Sequence, residues 1–495
     1  MKNKIKRISK SQYLKGIQCP KTLWLYRHRP DLKPEVSEAQ QHLFDTGHEI
    51  GELAKHYFKS GVEITAEYYQ IDKAIKSTND FIRQGEKIIF EATAASPDGG
   101  FSRIDILKKA KRTDAWDLIE VKASTGVRNY YIDDITFQRY AFANAGYEIR
   151  KSILMHVNNQ YLRTGGLNIK ELFTLEDCTY IVQEIISVIR GNLEYLIAVV
   201  NRNKEPDIAI GDQCRSPFEC DYIPYCWRHV PEYSIYNIFS GRKRDKLLAD
   251  GIIKISDIPD SFDTTERQYI DIQSFKHDQI HKDKEPIREF LDTLVYPLYY
   301  LDYETIFPAV PLFDNTRPYQ QVPFQFSLHI QKKKGGKLKH VEFLHTDATD
   351  PRLEFVKSLT ENCGDKGSVI VYNQTFESGI NNQLSADFPE HSDRINKITE
   401  RMVDLIVPFR SRWLYHPSMK GSASLKDVLP AFVPELSYDG MAIGDGGTAS
   451  LRYLSCLKDE VSDDSKAKIF QDLKDYCFQD TLAEVKLLDV LYKSL

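Results

Sequence analysis

The sequence predicts an α/β protein of two domains joined by a helical connector, at residues 1–232, 233–292 and 293–495. Three observations predict it. The chain has 495 residues, more than one ordinary hydrophobic core sustains, so two domains are expected. Short β-branched runs alternate with helical stretches in the first half, and the same alternation begins afresh at Tyr296. Between them, from Ile235 to about Glu289, no strand pattern appears and the residues read as short helices.

From Ser9 to about Phe58 apolar residues recur at helical spacing, first Tyr13, Leu14 and Ile17, then Ile50, Leu53 and Ala54. Ile88–Phe90, Ile104–Leu107 and Leu118–Val121 read as strands bounded by polar turns. A helix over 132–145, a strand over 151–157 and a long amphipathic helix over 180–201 follow. In the connector, Lys246–Ile255 resembles a small helix–turn–helix pair. Beyond it, Tyr299–Glu304 reads as a strand, and Phe324–Ile330 with His340–Leu344 as a hairpin whose Gly335-Gly336 pair suits a tight turn. Helix, strand (Ser368–Tyr372) and helix come next, and a terminal helix runs from Ser465 to about Tyr492.

Composition narrows the class. Hydrophobic residues at 42% and charged residues at 28% describe a globular chain. No stretch approaches the roughly 18 apolar residues of a membrane span. The basic start, Met1–Arg7, leads into no apolar run, so no secretory signal is read. A cytoplasmic location is expected, with the eight cysteines reduced or metal-bound. The net charge of −5 excludes a globally basic coat, yet between Met1 and Lys33 the only acid is Asp31, which concentrates positive charge there. No Gly-x4-Gly-Lys-Ser/Thr occurs, so any duplex unwinding falls to a partner such as a helicase.

The first chemical constellation is Asp105 followed by Glu120-Val-Lys122. Strand alternation puts Glu120 and Lys122 on one face, with Asp105 opposite Glu120 on the neighbouring strand. Glu91, at the end of a preceding strand, offers another carboxylate. Hard oxygen ligands suit Mg²⁺ or Mn²⁺, which activate water for phosphodiester hydrolysis. Lys122 is placed to orient that water or to stabilise the anionic transition state.

These residues resemble the RecB-type branch of PD-(D/E)xK nucleases, which includes iron–sulfur exonucleases. Phe101-Ser-Arg-Ile-Asp105 is similar to that branch's Gly-x-Ile-Asp motif, and Asp134-Ile-Thr-Phe-Gln138-Arg-Tyr140 resembles its Gln motif. The resemblance implies a restriction-endonuclease-like fold, with Gln138 at the edge of the active site. The branch carries a metal-binding His four residues after a Gly. Here Gly51 follows Gly47 at that spacing, and His48, about one turn earlier, is the substitute candidate.

Cys214, Cys220 and Cys226 lie in a loop rich in proline and aromatics, and Cys19 stands alone near the start. Four thiolates suit zinc or an iron–sulfur cluster. Zinc sites usually come as two close pairs, whereas this chain has one distant cysteine and a triplet. Cys19 matches the lone N-terminal cysteine of the iron–sulfur nucleases. The resemblance therefore implies a [4Fe–4S] cluster closing residues 19–226 into one unit, with zinc as the alternative. Cys178, Cys363, Cys456 and Cys477 show no such arrangement.

The second constellation lies beyond the connector. Leu301-Asp302-Tyr-Glu304 puts two carboxylates on one strand face, and Tyr476-x3-Asp480 puts two side chains one helical turn apart. Together they resemble DnaQ-type 3′→5′ exonucleases of the DEDDy class. That resemblance implies an RNase H-like fold, two metal ions on four carboxylates, and a water positioned by Tyr476. The family's middle motif supplies Asp, where Tyr372-Asn373-Gln-Thr-Phe376-Glu377 supplies Glu377. Asp404 is an alternative source of the fourth carboxylate.

The whole chain resembles a family of bacterial proteins that fuse these two domain types. A metal-dependent nuclease with two active sites is expected, an exonuclease cleaving DNA from its ends rather than RNA, in repair, recombination or phage defence. The alternative is a nucleic-acid-binding or scaffold protein in which one or both centres are inert.

Overall fold

The computed structural model describes residues 7–458 and 461–495, so the basic run expected from Met1 to Lys33 enters it only at Arg7, and residues 1–6 lie outside the described residues. It is a mixed α/β protein of several sheets and many helices. Two units emerge: Met1–His229 with Ala309–Tyr319 (unit 1), and Val230–Pro308 with Gln320–Leu495 (unit 2). No helix among the described residues is long and apolar enough to cross a membrane.

Unit 1 is organised by a seven-stranded sheet. Its strands are β1 (Ile8–Ser9), β2 (Val62–Glu63), β3 (Ile88–Ala95), β4 (Gly100–Lys109), β5 (Trp116–Lys122), β6 (Ile149–Val157) and β7 (Phe173–Asp177). They run in the order β2-β3-β4-β5-β6-β7, with β1 parallel to the start of β4. The β3–β4 and β4–β5 pairs are antiparallel and β5–β6 is parallel. Helices α1 (Lys10–Gln18), α2 (Pro20–His28), α3 (Glu38–His56), α4 (Ile71–Arg83), α5 (Asn129–Asn144) and α6 (Val188–Val200) surround it. A capping box on Ser9 starts α1, and Pro20 occupies the first position of α2, where its missing N–H costs nothing. The long helix expected over 180–201 is interrupted at Ile186–Ser187, between Thr179–Ile185 and α6.

The sheet has two apolar faces. Ala92, Ile104, Leu107 and Leu118 pack with Ala74 of α4 and Phe142 of α5. Phe90, Ile106 and Ile119 pack with Ile50 and Ala54 of α3. Phe90 pairs with Ile106 and Ala92 with Ile104, yet these two pairs belong to opposite faces. Between them stand Glu91 and Asp105, and Glu91 has a left-handed backbone (φ 59°). Both strands therefore change face at this step, a local irregularity of the kind found beside functional sites. Glu91 is thus in the middle of β3 rather than at a strand end, because β3 continues to Ala95.

Unit 2 contains α7 (Glu266–His277), β8 (His281–Lys282), α8 (Lys284–Asp292), β9 (Leu298–Ile306), β10 (Val322–Gln331), β11 (Leu338–Leu344), α9 (Arg352–Asn362), β12 (Val369–Val371), α10 (Gln374–Asp387), β13 (Met402–Asp404), β14 (Leu414–Tyr415), α11 (Leu425–Phe432), α12 (Gly446–Cys456) and α13 (Asp463–Ser494). Five strands form one sheet in the order β11-β10-β9-β12-β13. The β11–β10 and β10–β9 pairs are antiparallel, and β9–β12 and β12–β13 are parallel. Helix α13 lies against β9 and β10, its register held by Thr481, which hydrogen-bonds Ser327 (2.7 Å) and His329 (2.8 Å).

Residues 233–292, read from sequence as a connector, are packed within unit 2. Tyr233, Ile235, Phe239, Leu247, Ile255, Ile258 and Ile272 form a core of their own, and β8 pairs with β14. Arg412, fully buried, grips Asp271 of α7 through Nε (2.6 Å) and Nη2 (3.2 Å), and donates to the Gly421 carbonyl (2.6 Å). Asp271→Ala leaves that guanidinium buried without its counter-charge. The expected cost is about 3–5 kcal/mol of unit 2 stability in denaturant unfolding. An unchanged midpoint would contradict this anchoring role.

Candidate acidic centres and a cysteine cavity

In unit 1, β4 and β5 pair regularly as far as Ile106↔Ile119. Just beyond, the Asp105 carboxylate accepts the Val121 backbone amide (2.6 Å) in place of a ladder carbonyl. Glu120, 2% exposed, accepts Lys122 Nζ (2.8 Å) and Lys10 Nζ (2.5 Å) on Oε1, and Gln138 Nε2 (2.7 Å) on Oε2. Lys122 also reaches Asp134 (2.6 Å), which accepts from Gln138 (3.0 Å) as well. Ser102 orients the Gln138 amide by donating to its Oε1 (3.0 Å). Strand alternation accounts for Glu120 and Lys122 sharing a face. One helical turn between Asp134 and Gln138 accounts for the pair on α5.

Charge in this centre is balanced by lysines. Burial alone would push Glu120 up, but Lys10 and Lys122 outweigh it and hold it below the usual carboxylate range. Burial would likewise lower Lys122, yet Asp134 and Glu120 raise it well above its ordinary value. Asp105 is raised well above the usual range by burial and then by the Glu120 charge, with Lys10 opposing. Glu91 is raised by burial against the pull of Arg103 and Lys55. His48 is exposed on α3 and takes no part in this network. Lys10 was not evident from sequence because it lies 110 residues from Glu120, outside any local motif.

Cys19, Cys214, Cys220 and Cys226 line one cavity, together with Lys21, Thr22 and Tyr222. Cys19 is both the C-cap of α1 and the N-cap of α2. Gln18 Nε2 donates to the Gln213 (2.8 Å) and Phe218 (2.7 Å) carbonyls, and Lys15 pairs with Asp221 (3.0 Å), fixing α1 to the triplet loop. Thr22 Oγ1 lies 3.1 Å from the Cys220 sulfur. None of the four is in a disulfide. The remaining cysteines lie apart from this cavity.

Unit 2 holds the tightest acidic group. Among the described residues one set of three His, Cys, Asp or Glu side chains has all its ligand atoms within 4.8 Å of one another: Asp302, Glu304 and Asp480. Alternation along β9 puts Asp302 and Glu304 on the face covered by α13. Tyr438 donates its hydroxyl to Asp480, and its ring lies 6.0 Å from that of Tyr476. A Cβ added at Gly446, the first residue of α12, would sit 3.4 Å from Glu304 Oε2, so the start of that helix closes over the group. Glu377 is buried in the first turn of α10. Tyr438 sits in a region without strand or helix signals, and nothing in the sequence pointed to it.

Residues 299–424 match the family model of a domain of unknown function, DUF2779. The match takes in Asp302, Glu304 and Glu377 and stops short of Tyr476 and Asp480. An uncharacterized protein of Mycoplasma pneumoniae is 26% identical over 209 residues, covering 38% of this chain and 31% of that protein. An uncharacterized protein of Ureaplasma parvum serovar 3 is 25% identical over 207 residues, covering 38% of this chain and 30% of that one. The chain thus spans about a third of the length of these relatives.

The acids of unit 2 lie close together and largely buried. Burial, then Asp480, Glu304 and Glu377, push Asp302 well above the usual range. Burial and Asp480 do the same to Glu304. Asp480 is raised by burial to about 6, although Tyr438 and Tyr476 pull it down, and Glu377 is pushed up by burial to about 8. Raised carboxyl values mean that the folded state holds protons the unfolded state releases. Their stabilising contribution is complete below the ordinary carboxylate range and is lost as pH rises through about 6 and then about 8. In chelator, the melting temperature of unit 2 is therefore expected to fall from pH 6 to pH 8. A flat or rising profile would contradict it.

Proposed function

We propose that this chain is a divalent-metal-dependent nuclease that hydrolyses phosphodiester bonds of nucleic acid, DNA in preference to RNA. The observation that carries the reading is the convergence of Asp302, Glu304 and Asp480 within 4.8 Å on one face of the unit 2 sheet. An all-oxygen set of this kind fits Mg²⁺ or Mn²⁺. The ion would supply charge neutralisation at the scissile phosphate and activation of water. Tyr438 fixes the Asp480 carboxylate, and Thr481 fixes the register of the helix that carries it. Three antiparallel strands followed by two parallel ones, with α13 laid across β9, support an RNase H-like reading of unit 2.

In unit 1, the β4–β5 hairpin, the parallel β6 and the buried helix α5 support a restriction-endonuclease-like reading. Asp105, Glu120 and Glu91 would hold an ion there, with Gln138 orienting Glu120 and Lys122 beside it. Lys10 supports a second reading for this unit. It holds one Glu120 oxygen in a salt bridge at 2.5 Å, and in that reading the centre binds nucleic acid without cutting it.

The four cysteines fit a [4Fe–4S] cluster. A tetrahedral zinc with Zn–S of about 2.3 Å needs sulfurs about 3.8 Å apart. The four sulfurs line one cavity, and four thiolates there suit a [4Fe–4S] cluster, with zinc as the alternative. Iron held there would brace α1 and the triplet loop.

The test is digestion of end-labelled single- and double-stranded DNA and RNA of one sequence by the full chain, in Mg²⁺, in Mn²⁺ and in chelator. Metal-dependent shortening of DNA is expected. No cleavage of any substrate with either metal would overturn the proposal.

A further inference from the structure

Helix α5 meets the acidic centre of unit 1 on its second turn, through Asp134, and its first turn carries Tyr130 and Tyr131. Lys122 Nζ, which bonds Glu120 and Asp134, also stands 5.1 Å from the centre of the Tyr131 ring. The Tyr131 and Tyr130 rings lie 4.3 Å apart, and the Tyr130 and Phe218 rings 4.4 Å apart, both edge to face at 67°. An aromatic track thus runs from the acidic centre to the cysteine loop. Phe218, at its far end, is 42% exposed, and its carbonyl accepts Gln18 Nε2 (2.7 Å), which ties it to α1. A cation without a carboxylate partner stands beside the track. Arg128, exposed just before α5, donates to the neutral Tyr130 hydroxyl (3.3 Å), and among the described residues no acid pairs with it. Glu219, the acid next to Phe218, is answered by Arg215 (3.3 Å).

We propose that Tyr131, Tyr130 and Phe218, with Arg128, form a stacking track for the unpaired bases of a single nucleic-acid strand that leads into the acidic centre of unit 1. The proposal rests on the nucleic-acid reading of this chain and names the form of the ligand. Exposed rings beside a free guanidinium suit a molecule that offers flat apolar faces on an anionic chain. Unpaired bases on their phosphate backbone are that molecule. A duplex keeps those faces inside its own stack. Every base has such a face, so the track reads no sequence. Arg128 would meet phosphate, which positions the strand along the rings. Lys122, over the Tyr131 ring, marks where the strand passes from the track to the carboxylates.

Binding of fluorescein-labelled strands to the full chain in chelator, read by fluorescence anisotropy, tests this without cleavage. The wild type is expected to bind an oligothymidylate about tenfold or more tightly than an abasic strand of equal length. Phe218→Leu and Tyr130→Leu keep apolar bulk but remove a ring. Both should bring the thymidylate close to the abasic affinity and leave the abasic value unchanged. Phe218→Trp restores an aromatic face and should keep the wild-type preference. Arg128→Ala should weaken both strands by a similar factor. Duplex binding should be the same in the wild type and Phe218→Leu. Equal affinity of the wild type for the two strands overturns the proposal, and that comparison needs no variant to fold. A preference for bases that both leucine variants keep overturns it too, because the stacking then lies elsewhere. Hydrolysis is scored separately in Mg²⁺ and Mn²⁺. A chain that prefers bases through Phe218 yet cuts nothing upholds the track and overturns the nuclease reading. A chain that cuts but shows no such preference does the reverse.

Discussion

Asp302→Asn is expected to lower metal-dependent hydrolysis on the order of 10²–10³-fold and, in chelator, to raise the melting temperature. The two signs share one cause. Asp302 lies among Glu304, Asp480 and Glu377, so above the ordinary carboxylate range the fold bears either a buried charge or a proton that the unfolded chain would release, at the expense of stability. The neutral amide relieves that penalty. It also removes a ligand that a preorganised cation needs, and loss of one such electrostatic contact costs a factor of about 10²–10³. The rate is best read in a chain that also carries Lys122→Ala, so that unit 1 contributes nothing. Hydrolysis unchanged by Asp302→Asn would remove unit 2 from the chemistry. A fall in both rate and stability would mean that Asp302 is simply a structural residue.

Cys19→Ser is expected to abolish the visible absorbance of anaerobically purified protein, together with about four irons per chain. Serine keeps the size but not the thiolate. Cys19 joins α1 to α2 and faces the triplet across one cavity, so a cluster there closes a loop from residue 19 to residue 226. On a chain-entropy basis such closure is worth roughly 5 kcal/mol, which unit 1 should lose. Lys10 begins the same helix, so a loosened α1 should also release its contact with Glu120. A colourless protein holding zinc would exchange the cluster for the alternative ion. Wild-type stability in Cys19→Ser would show that the cavity holds nothing structural.

Much of both centres was legible because period-two alternation and one-turn helical spacing place side chains without tertiary information. Glu120 with Lys122, Asp302 with Glu304 and Tyr476 with Asp480 are all pairs of that kind, whereas Gln138 came from the family resemblance and Asp134 was not singled out. The parts that were not legible depend on packing. Lys10 reaches Glu120 from a helix far away in sequence. Tyr438 comes from a segment with no periodicity. The irregularity at Glu91 and Asp105 was hidden too, because a change of sheet face leaves the strand-forming composition intact. Residues 233–292 show no strand pattern in sequence and so read as a connector, although β8 pairs with β14, Asp271 binds Arg412 and their apolar residues form a core.

The central claim is that one chain carries two acidic centres, of which the one on β9 and α13 cuts. Hydrolysis of labelled DNA in Mn²⁺ by Asp302→Asn, by Glu120→Gln and by the double variant tests it most directly. Asp302→Asn should lose most of the activity, Glu120→Gln less, and the double variant should match the chelator control. A double variant that cuts as the wild type does would contradict the account.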